Sequence, residues 1–305
     1  MRIPLVIFIF FASFHSPAFA GDDNRPNLVL ILARDLTRGH LECYGGKHSS
    51  PNIDRLAREG VRYETAWRMP DENLSKKTLF SGRYPSHYKK APSLSALLEK
   101  SGYQNGGMNI DLEKSLSFLA QAQGTQPFFM IHFVGSEGAK VDHQVGKLIS
   151  AIEKNQFNEN TLVILTSEGG SGKAKTDFEV RVPFIVRAPF LVGQGRVSKD
   201  LVDFTDILPT FLSLAKIAKT DALQSDGKSM VPSLTGSDDP FEKRNWICSE
   251  SEGFRMVRDW QHILDTEGNF HDLRSDPRQA KEVSPLDKQA PGRRTRLQMM
   301  LDRFL

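Results

Sequence analysis

The sequence predicts an α/β protein: a three-layer, mainly parallel sheet flanked by helices, followed by a small C-terminal antiparallel α+β domain. Three apolar runs of strand length are typical of strands covered on both faces: Asn27–Ala33, Pro127–Val134 and Thr161–Thr166. Strands that alternate with helices favour a parallel sheet with helices on both sides. From about Asn245 short strands separated by turn residues follow one another, and a helix over Thr295–Phe304 closes the chain.

Helix signals separate the predicted strands. Ser50–Gly60 has an N-cap Ser, Pro at the first helical position and a Gly stop. Val61–Trp67 is extended, and Val180–Val186 is a strand that Pro183 places at an edge or at a strand terminus. The other predicted helices are Ser93–Lys100, Asp111–Ala122, Asp142–Glu153 and Thr205–Ile217.

The composition and charge are those of an ordinary globular protein. The chain has 305 residues, of which 39% are hydrophobic and 25% charged, and its formal net charge is +3. This small charge gives no argument for a nucleic-acid or anionic-membrane partner. Cys43 and Cys248 lie far apart in sequence without metal-site spacing, so unpaired thiols are predicted.

The first twenty residues have the pattern of a secretory signal peptide. Arg2 precedes the apolar run Ile3–Phe14, and Ala18–Ala20 is a small-x-small cleavage signature before Gly21. The sequence therefore predicts a secreted or periplasmic protein without a membrane anchor after cleavage. The predicted organisation is a signal peptide over 1–20, a main domain over 21–240 and a small domain over 241–305.

Acidic residues follow two of the buried strands. Asp35 comes after the first strand and Glu168 after the Thr161–Thr166 strand, so both belong to the carboxyl edge of the sheet, where ligands bind. A short helix that begins near Glu72 offers backbone N–H groups to an anion. These features predict a metal or phosphate-type site, and the alternative is an ordinary capped helix beside solvated loop acids.

The order of several sequence blocks resembles the sulfatases, a family of the alkaline-phosphatase-like superfamily. This resemblance covers nearly the whole chain after residue 20 and implies the sulfatase fold. The blocks are Arg25–Leu36, Cys43–Gly46, Ser50–Trp67, Leu79–Ser86, Asn160–Gly170, Arg181–Pro189, Asp203–Ile217, Asp226–Gly236 and Phe270–Pro277.

The catalytic motif departs from the family pattern. Sulfatases carry Cys or Ser in a C/S-x-P-S-R motif, and its first residue becomes the formylglycine nucleophile. In this chain the nucleophile position falls on Glu72 and the Pro position on Leu74. The Ser position falls on Ser75 and the Arg position on Lys76. Because Glu72 cannot become formylglycine, we expect the usual sulfatase reaction to be lost.

The calcium site that the resemblance implies is also altered. The two Asp after the first strand correspond to Arg34 and Asp35, and the later Asp and Asn/His pair corresponds to Glu168 and Gly169. Ca²⁺ takes about 6–8 oxygen ligands, whereas Asp35 and Glu168 are the residual metal positions and Arg34 replaces a ligand. No cofactor is therefore expected, although Ca²⁺ is the family metal.

The resemblance implies further basic residues at the site. Lys76 and Arg83 are the candidate anion ligands, and the family Lys near the Glu168 loop corresponds to Lys173 or Lys175. The centre of the chain is shortened, and the family's Gly-Lys-x-His block and a later His-bearing segment are absent. These correlated losses favour a non-catalytic descendant or an incomplete gene product.

Three functions follow from this pattern. The first is a pseudo-sulfatase that binds sulfated glycans, in which Arg34 replaces the calcium charge and pairs with Asp35, Glu168 or Glu72. The second is an active sulfuric or phosphoric ester hydrolase that uses an altered metal site, with Ser75 or water as the attacking group. The third is a non-catalytic partner that binds protein.

Overall fold

The computed structural model describes most of the chain after residue 23. The described residues are 24–88, 93–109, 111–122, 124–135, 138–169, 174–192, 195–218, 224–284 and 289–304. The predicted signal peptide over residues 1–20 and the candidate Lys173 lie outside them. In the part that is described, no helix is both long and apolar enough to cross a membrane.

The main sheet has seven strands. They are β1 (Asn27–Ala33), β2 (Val61–Trp67), β3 (Gln104–Asn109), β4 (Phe128–Val134), β5 (Thr161–Ser167), β6 (Phe184–Arg187) and β7 (Arg196–Asp203). Their order across the sheet is β3-β4-β1-β5-β6-β2-β7. Strand β6 runs antiparallel to both of its neighbours, and the other pairs are parallel.

The structure corrects one alternative for the Pro183 segment and adds two strands that the sequence did not predict. The segment with Pro183 does not form an edge strand, because β6 lies between β5 and β2. Pro183 instead precedes the first residue of β6, which agrees with the alternative of a strand terminus. The true edges, β3 and β7, were not predicted from the sequence, since their residues are largely polar and give a weak strand signal.

Nine helices are present in the described residues, besides short 3₁₀ turns. They are α1 (Pro51–Glu59), α2 (Glu72–Ser81), α3 (Leu94–Lys100), α4 (Leu112–Gln121), α5 (Gly138–Lys154), α6 (Asp177–Val180), α7 (Ile207–Leu214), α8 (Val231–Thr235) and α9 (Ala290–Leu301). Helix α5 begins four residues earlier than the sequence predicts, and α9 begins five residues earlier.

The core of the main sheet has two halves. Alternate residues of β1 point to opposite faces, so Leu28, Leu30 and Leu32 join one cluster while Val29 and Ile31 join the other. Helices α2, α3, α7 and α8 pack on the first face, and α1, α4 and α5 pack on the second. Because every residue of β1 is buried, this strand forms the centre of a three-layer structure.

A second, antiparallel sheet of four strands follows the main one. Its strands are β8 (Ile247–Ser251), β9 (Phe254–Arg258), β10 (His262–Asp265) and β11 (Phe270–Asp272), in the order β11-β10-β9-β8. One set of its apolar side chains packs with Trp67 at the end of β2, and the other set packs under α9. The small sheet therefore lies against the carboxyl end of β2.

Candidate functional site

The carboxyl ends of β1, β2 and β5 meet at one edge of the main sheet. Strands β1 and β5 are parallel neighbours, and Ala33 is paired with Ser167. The residues that follow, Arg34 and Glu168, therefore emerge side by side. Strand β2 ends at the same edge, and α2 begins there with Glu72.

Four charged side chains form a cluster at this edge, which we call the charge cluster: Arg34, Glu72, Lys76 and Glu168. The Lys76 Nζ atom lies 2.6 Å from Oε1 of Glu72 and 3.2 Å from Oε2 of Glu168. Arg34 lies 3.5 Å from the Glu72 carboxylate and 3.8 Å from that of Glu168. Of the three predicted partners of Arg34, the geometry shows ion pairs with Glu72 and Glu168.

Exposure differs strongly within the charge cluster. The Glu168 side chain is 3% exposed, whereas that of Arg34 is 57% exposed. Burial raises the pKa of Glu168, while the hydrogen bond from Lys76 lowers the pKa of Glu72. Burial works against the charge of Lys76, yet its hydrogen bonds to both glutamates raise its pKa. The lysine is therefore a protonated bridge between two carboxylates.

The sequence suggested that the N-terminus of α2 is open to an anion. The structure shows that it is not. The Asp71 carboxylate caps the helix and accepts hydrogen bonds from the backbone N–H groups of Asn73 at 2.8 Å and Leu74 at 3.0 Å. Ser75 is fully buried and donates to the carbonyl oxygens of Met69 and Asp71. This hydroxyl is consequently placed as a structural donor and not as an exposed nucleophile.

Two of the predicted basic residues lie elsewhere. Arg83 follows the C-terminal end of α2. A rise of 1.5 Å per residue places it about 16 Å from Glu72 along the helix axis. Its Nε atom is buried without a partner among the described residues. Lys175 forms an ion pair with Glu267 in the small sheet and lies over the ring of Phe254, 4.9 Å from its centroid. Neither side chain joins the charge cluster.

A buried arginine without a signal in the quoted motifs lines the same pocket as Asp35. Arg68 follows β2 directly, is 6% exposed, and feels the negative charge of Asp35. Asp35 has a left-handed backbone with φ of 56°. Because Arg68 follows a strand that ends at this edge, its position in sequence was an available signal. Among the described residues, the site thus contains three cations, Arg34, Lys76 and Arg68, and three carboxylates, Asp35, Glu72 and Glu168.

A pocket of 630 Å³ opens beside this site. Asp35, Arg68 and Gly169 form part of its lining, and Phe178, whose side chain is 78% exposed, lies at the same pocket. The volume lies within the range of about 300–1,000 Å³ that small-molecule sites occupy.

Comparison with known proteins finds similarity to sulfatases. The Sulfatase family profile matches residues 135–217. An ulvan-active sulfatase of Formosa agariphila is 25% identical over an alignment that covers 80% of this chain. A sulfatase of Escherichia coli named YidJ, which is uncharacterized, is 32% identical over 45% of the chain. The chain is thus similar to sulfatases over most of its length. The matches span 62% and 30% of the lengths of these two relatives.

Solved structures agree with the predicted fold class. The structure of BT4656 in complex with D-glucosamine-2-N,6-O-disulfate superposes with a TM-score of 0.78 at 16% identity and covers 92% of this chain and 97% of that chain. Ps i-CgsB in complex with k-i-k-neocarrahexaose gives a TM-score of 0.73 at 18% identity, with 92% of each chain covered. The sulfatase fold is therefore confirmed, at identities that bear on the fold alone.

The residues present do not fit the calcium ion of the sulfatase family. Among the described residues, no group of three or more His, Cys, Asp or Glu side chains is arranged to hold a metal. Arg34 stands where the resemblance implies an Asp ligand, and it pairs with Glu72 and Glu168, as Lys76 also does. We therefore derive no chemical step through a metal.

The ion pairs of Lys76 predict a stability difference between two adjacent lysines. Lys76→Ala leaves the buried Glu168 carboxylate without its nearest cation, so the free energy of unfolding should fall by about 1.5–3 kcal/mol. The control is Lys77→Ala, whose exposed Nζ lies 3.8 Å from the Tyr88 ring centroid, and it should cost at most about 1 kcal/mol. Urea denaturation of both variants measures this difference, and equal losses would contradict the bridging role.

The pH dependence of stability should separate the two glutamates. Burial raises the pKa of Glu168 above 4.5, so the folded state holds its proton more tightly than the unfolded chain does. The free energy of unfolding contributed by Glu168 therefore decreases as pH rises from 4.5 through the raised pKa. Glu72 has a lowered pKa, and its stabilising contribution is lost only as pH falls below 4.5.

Urea denaturation of the wild type, Glu168→Gln and Glu72→Gln over a pH series tests this assignment. The decrease above pH 4.5 should be smaller in Glu168→Gln, and the loss below pH 4.5 should be smaller in Glu72→Gln. Superimposable profiles of the three proteins would show that these carboxyl groups do not differ between the folded and unfolded states.

Proposed function

We propose that this chain is an exported, non-catalytic sulfatase-family protein that binds sulfated glycans. The observation that carries the proposal is Glu72 at the nucleophile position, held in an ion pair with Lys76. A carboxylate neutralised by a lysine is a poor nucleophile towards a sulfate ester, which is itself an anion. Export is supported by the signal-peptide pattern of the first twenty residues.

The placement of Ser75 and Glu168 supports the non-catalytic proposal. Ser75, the alternative attacking group, is buried and donates its hydroxyl hydrogen bond to backbone carbonyl oxygens. The raised pKa of Glu168 could suit a general acid, but its carboxylate is 3% exposed and adjoins two cations. Neither group is presented to a bound ester.

Sulfated glycans are the proposed ligand class for two reasons. Structures that share this fold have been solved with D-glucosamine-2-N,6-O-disulfate and with a neocarrahexaose. In this chain the exposed guanidinium of Arg34 lies at the sheet edge, near a pocket that the exposed ring of Phe178 borders. Guanidinium groups bind oxyanions in bidentate fashion, and sulfate remains charged at every accessible pH.

The lack of catalysis is tested with 4-methylumbelliferyl sulfate and 4-methylumbelliferyl phosphate, each with Ca²⁺, with Mg²⁺ and with chelator. We expect no hydrolysis above that of the heat-denatured protein, because Glu72 cannot become formylglycine. Turnover that is lost in Glu168→Gln but retained in Lys77→Ala would contradict the proposal and favour an ester hydrolase with an altered metal site.

Glycan binding is tested by calorimetric titration of the wild type with a sulfated oligosaccharide and with its desulfated form. Arg34→Ala should weaken binding of the sulfated form about tenfold, the effect of losing one charge-assisted contact of about 1.4 kcal/mol. Arg58→Ala is the control, since Arg58 is an exposed arginine on α1 away from the charge cluster. Equal affinities of the two variants, or equal binding of both sugars, would contradict the proposed site.

A further inference from the structure

Arg68 is held more rigidly than the other cations of the site. Its Nη1 atom donates to the carbonyl oxygens of Met69 at 2.6 Å and Pro70 at 2.8 Å, and its Nη2 atom donates to that of Glu179 at 3.1 Å. These three acceptors fix the plane of the guanidinium. The group is therefore a built part of the structure and not a mobile surface charge.

Gly169 is in direct contact with this guanidinium. A Cβ atom added at Gly169 would lie 1.9 Å from Nε and 2.2 Å from Cζ of Arg68, distances that no side chain tolerates. The backbone of Gly169 also has a left-handed φ of 81°. Position 169 corresponds to the Asn or His of the sulfatase calcium site, so a ligand side chain there and Arg68 in its present place exclude each other.

We propose that the Arg68 guanidinium is the permanent cation on the Asp35 side of this site, and that Gly169 is required because it leaves space for this guanidinium. The sequence analysis assigned the replacement of the metal charge to Arg34, which is 57% exposed and pairs with the glutamates at 3.5 and 3.8 Å. Arg68 is the buried counterpart, and it lines one pocket together with Asp35. The two arginines and Lys76 together distribute the positive charge that an ion would concentrate at one point.

The charge of Arg68 is secure in this position. Burial lowers its pKa, while the negative charges of Asp35, Asp71 and Glu179 oppose that shift. An arginine stays protonated in proteins over the whole physiological range. The site therefore carries its own cation under all conditions in which the chain folds, and this inference does not depend on glycan binding.

The first experiment compares two glycines with almost the same φ angle. Gly45 has φ of 80°, and a Cβ atom added there meets nothing within 4 Å. Gly45→Ala should lower the thermal unfolding midpoint by about 2–4 °C through backbone strain alone. Gly169→Ala should lower it clearly further, because the added methyl group also displaces Arg68. Equal shifts would overturn the proposal without any need for an Arg68 variant that folds.

The second experiment places Gly169→Ala in an Arg68→Ala background. Removing the guanidinium removes the collision, so the additional shift caused by Gly169→Ala should shrink to the size of the Gly45→Ala shift. A shift that is as large as in the wild-type background would show that the two positions are independent and would overturn the required role of Gly169.

The third experiment titrates the wild type with Ca²⁺ and with chelator and follows the midpoint of thermal unfolding. A permanent cation predicts no change in either titration, since an ion bound to the folded state would raise the midpoint. A calcium-dependent rise that Asp35→Asn abolishes would overturn the proposal, because the ion and the guanidinium would then compete for the same carboxylate.

Discussion

Compensation of the buried Glu168 carboxylate is the constraint on which the site depends. A charged carboxylate is costly to bury unless it is paired and hydrogen-bonded. In this chain Lys76 supplies the nearest positive charge, and Arg34 supplies a second at a longer distance. Because Lys76 also binds Glu72, the first turn of α2 is tied to the end of β5. The position of α2 on the sheet edge follows from this bridge.

The cap of α2 reinforces the same arrangement. Asp71 accepts the first free N–H groups of the helix, and this interaction fixes where the helix begins. Glu72 is then the first helical residue and Lys76 lies one turn later, which places both on the same side of the helix. Their i, i+4 spacing explains why one lysine reaches Glu72 and Glu168 at once. The helix offers no unoccupied N-terminal N–H pair to an anion.

Much of the fold could be predicted from sequence, because the buried strands leave a strong signal. The runs that became β1, β4 and β5 are apolar on both faces, and such runs are distinctive. The edge strand β7 is half exposed and carries charged residues, so only its pairing with β2 identifies it. The central place of β6 is likewise a property of pairing, which Pro183 in the sequence could not reveal.

The site was only partly predictable, for a similar reason. Arg34 and Glu168 follow adjacent parallel strands, so the sequence places them together. Arg68 follows β2, which is separated from β5 by β6, and its contact with Gly169 depends on the rotamer of a long side chain. For Arg83 the sequence was misleading. Its place in a shared motif suggested an anion ligand, but the length of α2 puts it at the far end of that helix, away from the site.

The separation between core and edge explains how this fold tolerates substitutions at the strand ends. The apolar residues of β1 hold the sheet between two helical layers, and the charged residues Arg34 and Asp35 follow only after the strand has ended. Substitutions beyond the strand ends therefore leave the core intact. They must still balance charge, and three cations face three carboxylates at this edge. Lys76 and Arg34 already pair with Glu72 and Glu168, so their positive charges oppose a divalent ion that approaches these two carboxylates.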